Sequence, residues 1–177
     1  CPIRIVYYID CVWGTMLIWA HGLWGSPNGS KVTAIRESGI KVNSPDFNNM
    51  ELDERVDILN ELVSKEEVVL AGSSYGGLAC ALVAQQQPKQ VKGMLLLAPA
   101  LHLPEAPNNA PENLVAPKDL PITIIHSTTD EIVPISASQN YVDRSENKIN
   151  LIEVEDSHVL ENSIELIISE TNKLLNR

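Results

Sequence analysis

Short apolar runs alternate along this chain with segments whose apolar residues recur every three or four positions. The apolar runs are rich in valine, isoleucine and leucine, and they predict strands at 16–20, 40–43, 67–71, 93–98, 121–126 and 149–154. Segments with helical spacing lie between them, at 30–38, 51–64, 75–87, 135–144 and 160–175. Because the strands are almost continuously apolar, we expect helices to cover both faces of the sheet. The pattern therefore predicts a three-layer, doubly wound and mostly parallel α/β sheet.

The first residues stand apart from this alternation. Residues 1–15 precede the first clean strand, which starts at Met16. They form either an extra edge strand or hairpin, or an extension outside the core, and both alternatives stay open at this point. We predict one α/β domain over residues 16–177, which is enough chain to bury a sizeable core.

Charge and composition exclude several classes of partner. The net charge of −10 over 177 residues repels phosphate backbones and anionic membranes. No apolar stretch approaches the roughly 20 residues of a membrane span, and the start lacks the pattern of a signal peptide. We therefore expect a soluble, cytoplasmic protein with no nucleic-acid or membrane partner. Cys1, Cys11 and Cys80 lack metal-ligand spacing, so we expect unpaired thiols and no metal site.

A glycine-rich turn, LAGSSYGGLA, follows the third predicted strand and opens a predicted helix. Gly-x-Ser-x-Gly in this position lifts one serine above the sheet, and the residues two before and two after it must be small. For Ser74 these flanking positions are Gly72 and Gly76, whereas for Ser73 one of them would be Tyr75, which does not fit. Ser74 is therefore the predicted nucleophile.

The same turn has two simpler interpretations, an ordinary loop or a phosphate-binding cradle at a helix N-terminus. The cradle requires GxxxxGK[ST] or GxGxxG, and the sequence of this turn contains neither. A five-residue motif also matches by chance. The nucleophile interpretation therefore depends on finding a base and an acid elsewhere in the chain, since a serine hydroxyl needs both to become reactive.

An acid and a histidine follow two later strands. Asp130 comes after the strand at 121–126, and His158 comes after the strand at 149–154. The chain order Ser74, Asp130, His158 is the order that this architecture requires, and all three lie where parallel strands end. The sequence therefore predicts a Ser-His-Asp triad.

Other histidines and acids have weaker claims. His126 shares a strand end with Asp130, so we expect it to shape the loop of the acid. His102 opens a proline-rich loop and should be solvated, and His21 should fix the loop after the first strand. Asp156 is the reserve acid, on the same loop as the predicted base.

Acyl transfer also needs donors for the oxyanion of the tetrahedral intermediate. The backbone N–H of Tyr75, directly after the predicted nucleophile, is one predicted donor, and that of Leu23, in HGLWGSP, is the other. Trp24 is either a pocket wall or a packing residue, and we favour the wall. Leu101 and Leu103 complete the predicted substrate pocket.

The motifs HGLWGSPNGSK, GSSYGG, HSTTDEIVP and DSHVLEN together resemble the α/β-hydrolase superfamily. The compact form is similar to the small bacterial YqiA-like esterases, which carry no inserted cap domain. The resemblance implies a nucleophile at Ser74, an acid at Asp130, a base at His158, and oxyanion donors at Leu23 and Tyr75.

The resulting hypothesis is a serine esterase that acts on a small-molecule ester and needs no metal or organic cofactor. A thioesterase or amidase with the same triad is the nearest alternative. A non-catalytic binding protein that keeps the fold is a second, because fold does not dictate function. The oligomeric state stays open. Since only a proline-rich segment, residues 101–121, occupies the usual place of a lid, we predict a preference for short acyl chains.

Overall fold

A parallel sheet of six strands forms the centre of the protein. The computed structural model describes residues 14–105 and 110–177. Its strands are Met16–Ala20 (β1), Val42–Asn43 (β2), Val68–Ser73 (β3), Val91–Leu97 (β4), Ile122–Ser127 (β5) and Asn150–Val154 (β6). Their order across the sheet is β2-β1-β3-β4-β5-β6, and every neighbouring pair is parallel. Each predicted strand overlaps an observed one, so the predicted fold class is confirmed.

Helices cover both faces of this sheet. They are Ser30–Glu37 (α1), Leu52–Lys65 (α2), Tyr75–Gln86 (α3), Ser136–Arg144 (α4) and Ile164–Leu175 (α5). Apolar residues of α2, α3 and α4 share one core cluster with one face of the sheet, and those of α1 and α5 share a second cluster with the other face. Every residue of β3 is buried. The sheet is therefore the middle of three layers, which explains why its strands are apolar without interruption.

The order in which successive strands are added to the sheet reverses between β1 and β3. From β1 the chain first moves outward to β2, and it then returns to β3 and continues to β4, β5 and β6 on the other side. In open α/β sheets, ligands bind beyond the carboxyl ends of the strands at such a reversal. The loops that follow β1 and β3 therefore border the expected site.

The final helix begins later than the sequence predicts, at Ile164 instead of residue 160. Leu160 is buried, but its φ of 54° lies in the left-handed region, which a helix does not use. Leu160 continues the apolar spacing of α5 because it packs in the same core cluster as that helix. It reaches the cluster from a loop, so the spacing extended the predicted helix too far.

The link between β4 and β5 carries no cap in its described part. Apart from residues 106–109, which lie outside the described residues, this link contains only a one-turn helix, Pro111–Asn113. Residues 1–13 also lie outside, so the two alternatives for residues 1–15 remain predictions. No described helix has the length and apolar character needed to cross a membrane. Cys80 is buried and forms no disulfide within the described residues.

Candidate active site

Three predicted side chains meet at the carboxyl edge of the sheet. Ser74 directly follows β3, Asp130 lies in the loop after β5, and His158 lies in the loop after β6. The His158 Nε2 atom is 3.2 Å from the Ser74 Oγ atom, and its Nδ1 atom is 2.7 Å from Asp130 Oδ2. Parallel strands end at one edge, so residues far apart in the chain come within hydrogen-bond distance here.

A sharp turn between β3 and α3 presents Ser74. Its φ of 53° and ψ of −114° are strained for a residue with a side chain. The turn is tight enough to exclude a side chain at its flanking glycines. A methyl group at Gly72 would lie 2.6 Å from the carbonyl oxygen of Gly76, and one at Gly76 would overlap the carbonyl oxygen of Ala20. Ser73, by contrast, lies within β3 and pairs with the neighbouring strand.

Hydrogen bonds fix which nitrogen of His158 carries the proton. The backbone N–H groups of Ile132 and Val133 both donate to Asp130 Oδ1 at 2.8 Å, which leaves Oδ2 to accept from His158 Nδ1–H. The His158 Nε2 lone pair then faces the Ser74 hydroxyl. This arrangement can remove a proton from the serine as it attacks a carbonyl carbon.

Asp130 is held as a carboxylate. Its side chain has no exposed surface, and burial alone would raise its pKa. The hydrogen bonds from His158, Val133 and Ile132 outweigh burial and lower the pKa below its ordinary value. A buried negative charge beside the imidazole favours the positive charge that His158 acquires when it takes a proton.

His126 shapes the loop of Asp130, as the sequence predicts. The ring is fully buried, its Nε2–H donates to the carbonyl of Val133 at 2.9 Å, and its Nδ1 accepts from the Ser138 hydroxyl at 2.7 Å. Its Nε2 is also 3.4 Å from Asp130 Oδ2. Burial lowers the pKa of His126, although the Val133 carbonyl and the Asp130 charge oppose this. With both nitrogens engaged inside the protein, this ring does not face Ser74.

Asp156, the reserve acid, organises the loop that carries His158. Its carboxylate accepts from the backbone N–H of Ser157 at 2.7 Å, the backbone N–H of Asn162 at 3.0 Å and the Ser163 hydroxyl at 2.8 Å. Burial would raise the pKa of Asp156, and these hydrogen bonds lower it instead. These contacts make Asp156 a structural residue of the loop that carries His158.

The three lowered pKa values predict a loss of stability in acid. His126 binds a proton less readily in the folded protein than in the unfolded chain. The free energy of unfolding should therefore start to fall once the pH drops below about 6.5. The stability that Asp130 and Asp156 contribute is present above about pH 4 and lost below it. Urea unfolding between about pH 7.5 and pH 5.5 isolates the histidine step. His126→Asn should flatten this step, and an unchanged pH dependence in that variant would contradict the account.

The two predicted oxyanion donors lie on the segments next to Ser74. Tyr75 is the first residue of α3, where backbone N–H groups have no intrahelical acceptor. Within the described residues, neither its N–H nor that of Leu23 donates to another group of the protein. The loop of Leu23 approaches the serine closely, because a methyl group at Gly22 would lie 3.4 Å from Ser74 Cβ. The pair of donors stays a prediction.

The predicted pocket walls fit less well. The Trp24 side chain is 95% exposed, so it does not line an enclosed pocket. Leu101 has no exposed surface and packs in the main core, although it borders a cavity of about 540 Å³ beside α4. Its place in the substrate pocket therefore stays a prediction. Leu103 is half-buried and remains a candidate wall.

Sequence reasoning missed one residue next to this site, Arg55. It is a fully buried arginine on α2, and its guanidinium donates to the carbonyl of His21 at 2.7 Å. A signal was present, because Arg55 lies three residues after Leu52 and four before Leu59, on the apolar side of the helix. A charge in that stripe indicates a specific buried partner.

Comparison with known proteins gives a family. The sequence model of the phospholipase/carboxylesterase family matches residues 15–171. No curated protein sequence matches the chain. The narrower likeness to the YqiA-like esterases remains a prediction.

Solved structures give the same superfamily. A putative α/β-superfamily hydrolase from Xanthomonas campestris pv. campestris is 27% identical, with a TM-score of 0.75 over 90% of this chain and 97% of that one. In fold, the chain is also similar to Est1E from Butyrivibrio proteoclasticus, at 19% identity and a TM-score of 0.78 over 93% and 89% of the two chains. A monoacylglycerol lipase from Paleococcus ferrophilus has a TM-score of 0.72 at 16% identity, over 88% and 96% of the two chains.

Proposed function

Because the chain belongs to the phospholipase/carboxylesterase family of α/β-hydrolases, we propose that it hydrolyses short-chain carboxylic esters with Ser74 as nucleophile. One observation carries the proposal. His158 Nε2 lies 3.2 Å from Ser74 Oγ, while its Nδ1–H donates to the buried Asp130 carboxylate at 2.7 Å. A base that is oriented in this way can activate the serine without a metal or an organic cofactor.

The first half of the reaction acylates the enzyme. His158 takes the Ser74 proton as Oγ attacks the ester carbonyl carbon, and the carbonyl oxygen becomes an oxyanion. The backbone N–H groups of Leu23 and Tyr75 donate to that oxyanion. The intermediate then collapses, its bond to the alcohol oxygen breaks, and His158 returns the proton to the departing alcohol.

The second half releases the acid. A water molecule gives a proton to His158 Nε2 and attacks the acyl carbon, which forms a second oxyanion in the same place. Its collapse frees the carboxylic acid and returns the proton to Ser74. Asp130 keeps its charge through both halves and stabilises the imidazolium form of His158.

The exposure of the apolar side chains around the site favours the proposed preference for short acyl chains. Leu23, Trp24, Ile132 and Val159 lie on the loops of the proposed oxyanion donor, acid and base, and at least half of each side chain is exposed. Trp24 is almost fully exposed. A methylene group that rests on such a surface keeps much of its own contact with water, so it gains only part of the about 0.8 kcal/mol that full burial supplies.

A series of aryl esters tests the substrate class. We expect the highest kcat/KM between acetate and butyrate, with little gain for longer acyl chains. Full burial of each added methylene would instead raise kcat/KM by about fourfold. Ser74→Ala provides the blank for spontaneous hydrolysis. A kcat/KM that climbs steadily from butyrate to decanoate would show a deep apolar channel and contradict the proposed preference.

A further inference from the structure

Arg55 is buried at the back of the proposed site without a carboxylate partner among the described residues. It is 1% exposed, and within the described residues its guanidinium donates to three backbone carbonyls. These belong to His21 at 2.7 Å, Phe47 at 3.3 Å and Met50 at 3.2 Å. The same guanidinium lies 4.8 Å from the ring centre of Tyr75 and 5.5 Å from that of Phe47.

These contacts join the two segments that supply the proposed oxyanion donors. His21 begins the loop that carries Leu23, and Tyr75 is itself the second donor. The His21 carbonyl is confined from its other side as well, because a methyl group at Gly76 would lie 2.5 Å from that oxygen. The loop after β1 is therefore held between Arg55 and the first turn of α3.

The ring of His21 reinforces this junction. Its Nε2 accepts from the backbone N–H of Phe47 at 2.9 Å, so its Nδ1–H donates to the carbonyl of Gly22 at 2.8 Å. The ring thus ties the start of this loop to the segment of Phe47, and the Arg55 guanidinium ties both segments to α2.

On the basis of the proposed function, we infer that Arg55 is a positioning residue for the oxyanion hole. It fixes the spacing between the backbone N–H groups of Leu23 and Tyr75 without touching substrate. Donors stabilise an oxyanion best when they are already in place, because no reorganisation then accompanies the reaction. An apolar side chain of similar size would fill the space but would remove the guanidinium donor from the carbonyl of His21, whereas the Phe47 carbonyl would keep the backbone N–H of Met50.

Arg55→Met and Arg55→Lys test this role. The measured quantities are kcat and KM for an aryl butyrate, the Ki of a trifluoromethyl ketone, and Tm. The ketone forms a tetrahedral oxyanion on the serine, so its Ki reports the oxyanion hole and does not depend on how much enzyme is folded. For Arg55→Met we expect kcat to fall and Ki to rise by at least about tenfold, with KM within about threefold. Arg55→Lys should be intermediate, because an ammonium group lacks the planar fork of donors.

Arg144→Met is the matched control. Arg144 also lies beside an aromatic ring, 5.5 Å from that of Tyr141, and it donates to the carbonyl of Leu114. It ends α4, whose chain runs away from the carboxyl edge of the sheet. This variant should have a lower Tm but the wild-type kcat and Ki.

Two results would overturn the inference, and they are separable from failure of the proposed function. A wild-type Ki and kcat in Arg55→Met, or in Arg55→Lys if the methionine variant does not fold, would make Arg55 a purely structural residue. A Ki that rises equally in Arg144→Met would show a general effect of stability. If the wild-type protein hydrolyses no ester, the proposed function fails first, and this inference fails with it.

Discussion

Replacing Ser74 with alanine should lower kcat/KM for an aryl butyrate by about 10⁵-fold or more. The His158 Nε2 atom faces this hydroxyl at 3.2 Å, and alanine leaves the proposed base with no nucleophile to activate. The fold should be unaffected, because alanine tolerates the turn about as well as serine does. Steady-state hydrolysis, with circular dichroism as the check on folding, measures this effect.

Ser73→Ala is the matched control for this prediction. It removes the neighbouring hydroxyl from the end of β3, where the strand pairs with β4. Most of the activity should remain. If Ser73→Ala were inactive and Ser74→Ala active, the steric argument from the flanking glycines would be wrong.

Replacing His158 with alanine should cost about as much as losing the serine, on the order of 10⁵-fold in kcat. Residues of a triad act as a unit, so losing the base removes most of what the nucleophile contributes. Asp130→Asn should cost less, about 10⁴-fold, because the amide keeps the geometry but favours the wrong tautomer of the imidazole. Rates are measured with one aryl butyrate throughout.

His126→Ala separates the two histidines beside Asp130. This change leaves the Val133 carbonyl and the Ser138 hydroxyl without their partner, so the free energy of unfolding should fall by about 1–3 kcal/mol. Activity at a temperature where the variant is folded should fall far less than in His158→Ala. An essential His126 together with a dispensable His158 would reverse the assignment of the base.

The strands and helices of the sheet layers could be predicted because their local patterns differ. Residues on both faces of β1 and β3 are buried, so their sequences are apolar throughout and differ clearly from the amphipathic helices. The start of α5 could not be predicted in this way. Leu160 belongs to the apolar core, so its spacing resembles that of a helix. Spacing alone does not show that Asp156 binds Asn162 and Ser163 and holds the residues before α5 in a loop.

Within the candidate site, the three side chains at the carboxyl edge of the sheet were easier to place from the sequence than the residues around them. Ser74, Asp130 and His158 each follow a strand, so the topology alone brings them to one edge of the sheet. The burial of Leu101 and the exposure of Trp24 depend on how loops turn, which a single sequence does not encode by periodicity. The burial of Arg55 could have been predicted from its place in the apolar stripe of α2, but its carbonyl partners have no signature in the sequence.

Labelling with a fluorophosphonate probe, followed by mass spectrometry of the digested protein, tests the central claim most directly. The probe reacts with a serine only where a base activates the hydroxyl. The account predicts one adduct, on Ser74, and no adduct in His158→Ala. Folded wild-type protein that takes up no probe, or that carries the adduct on a residue other than Ser74, would contradict it.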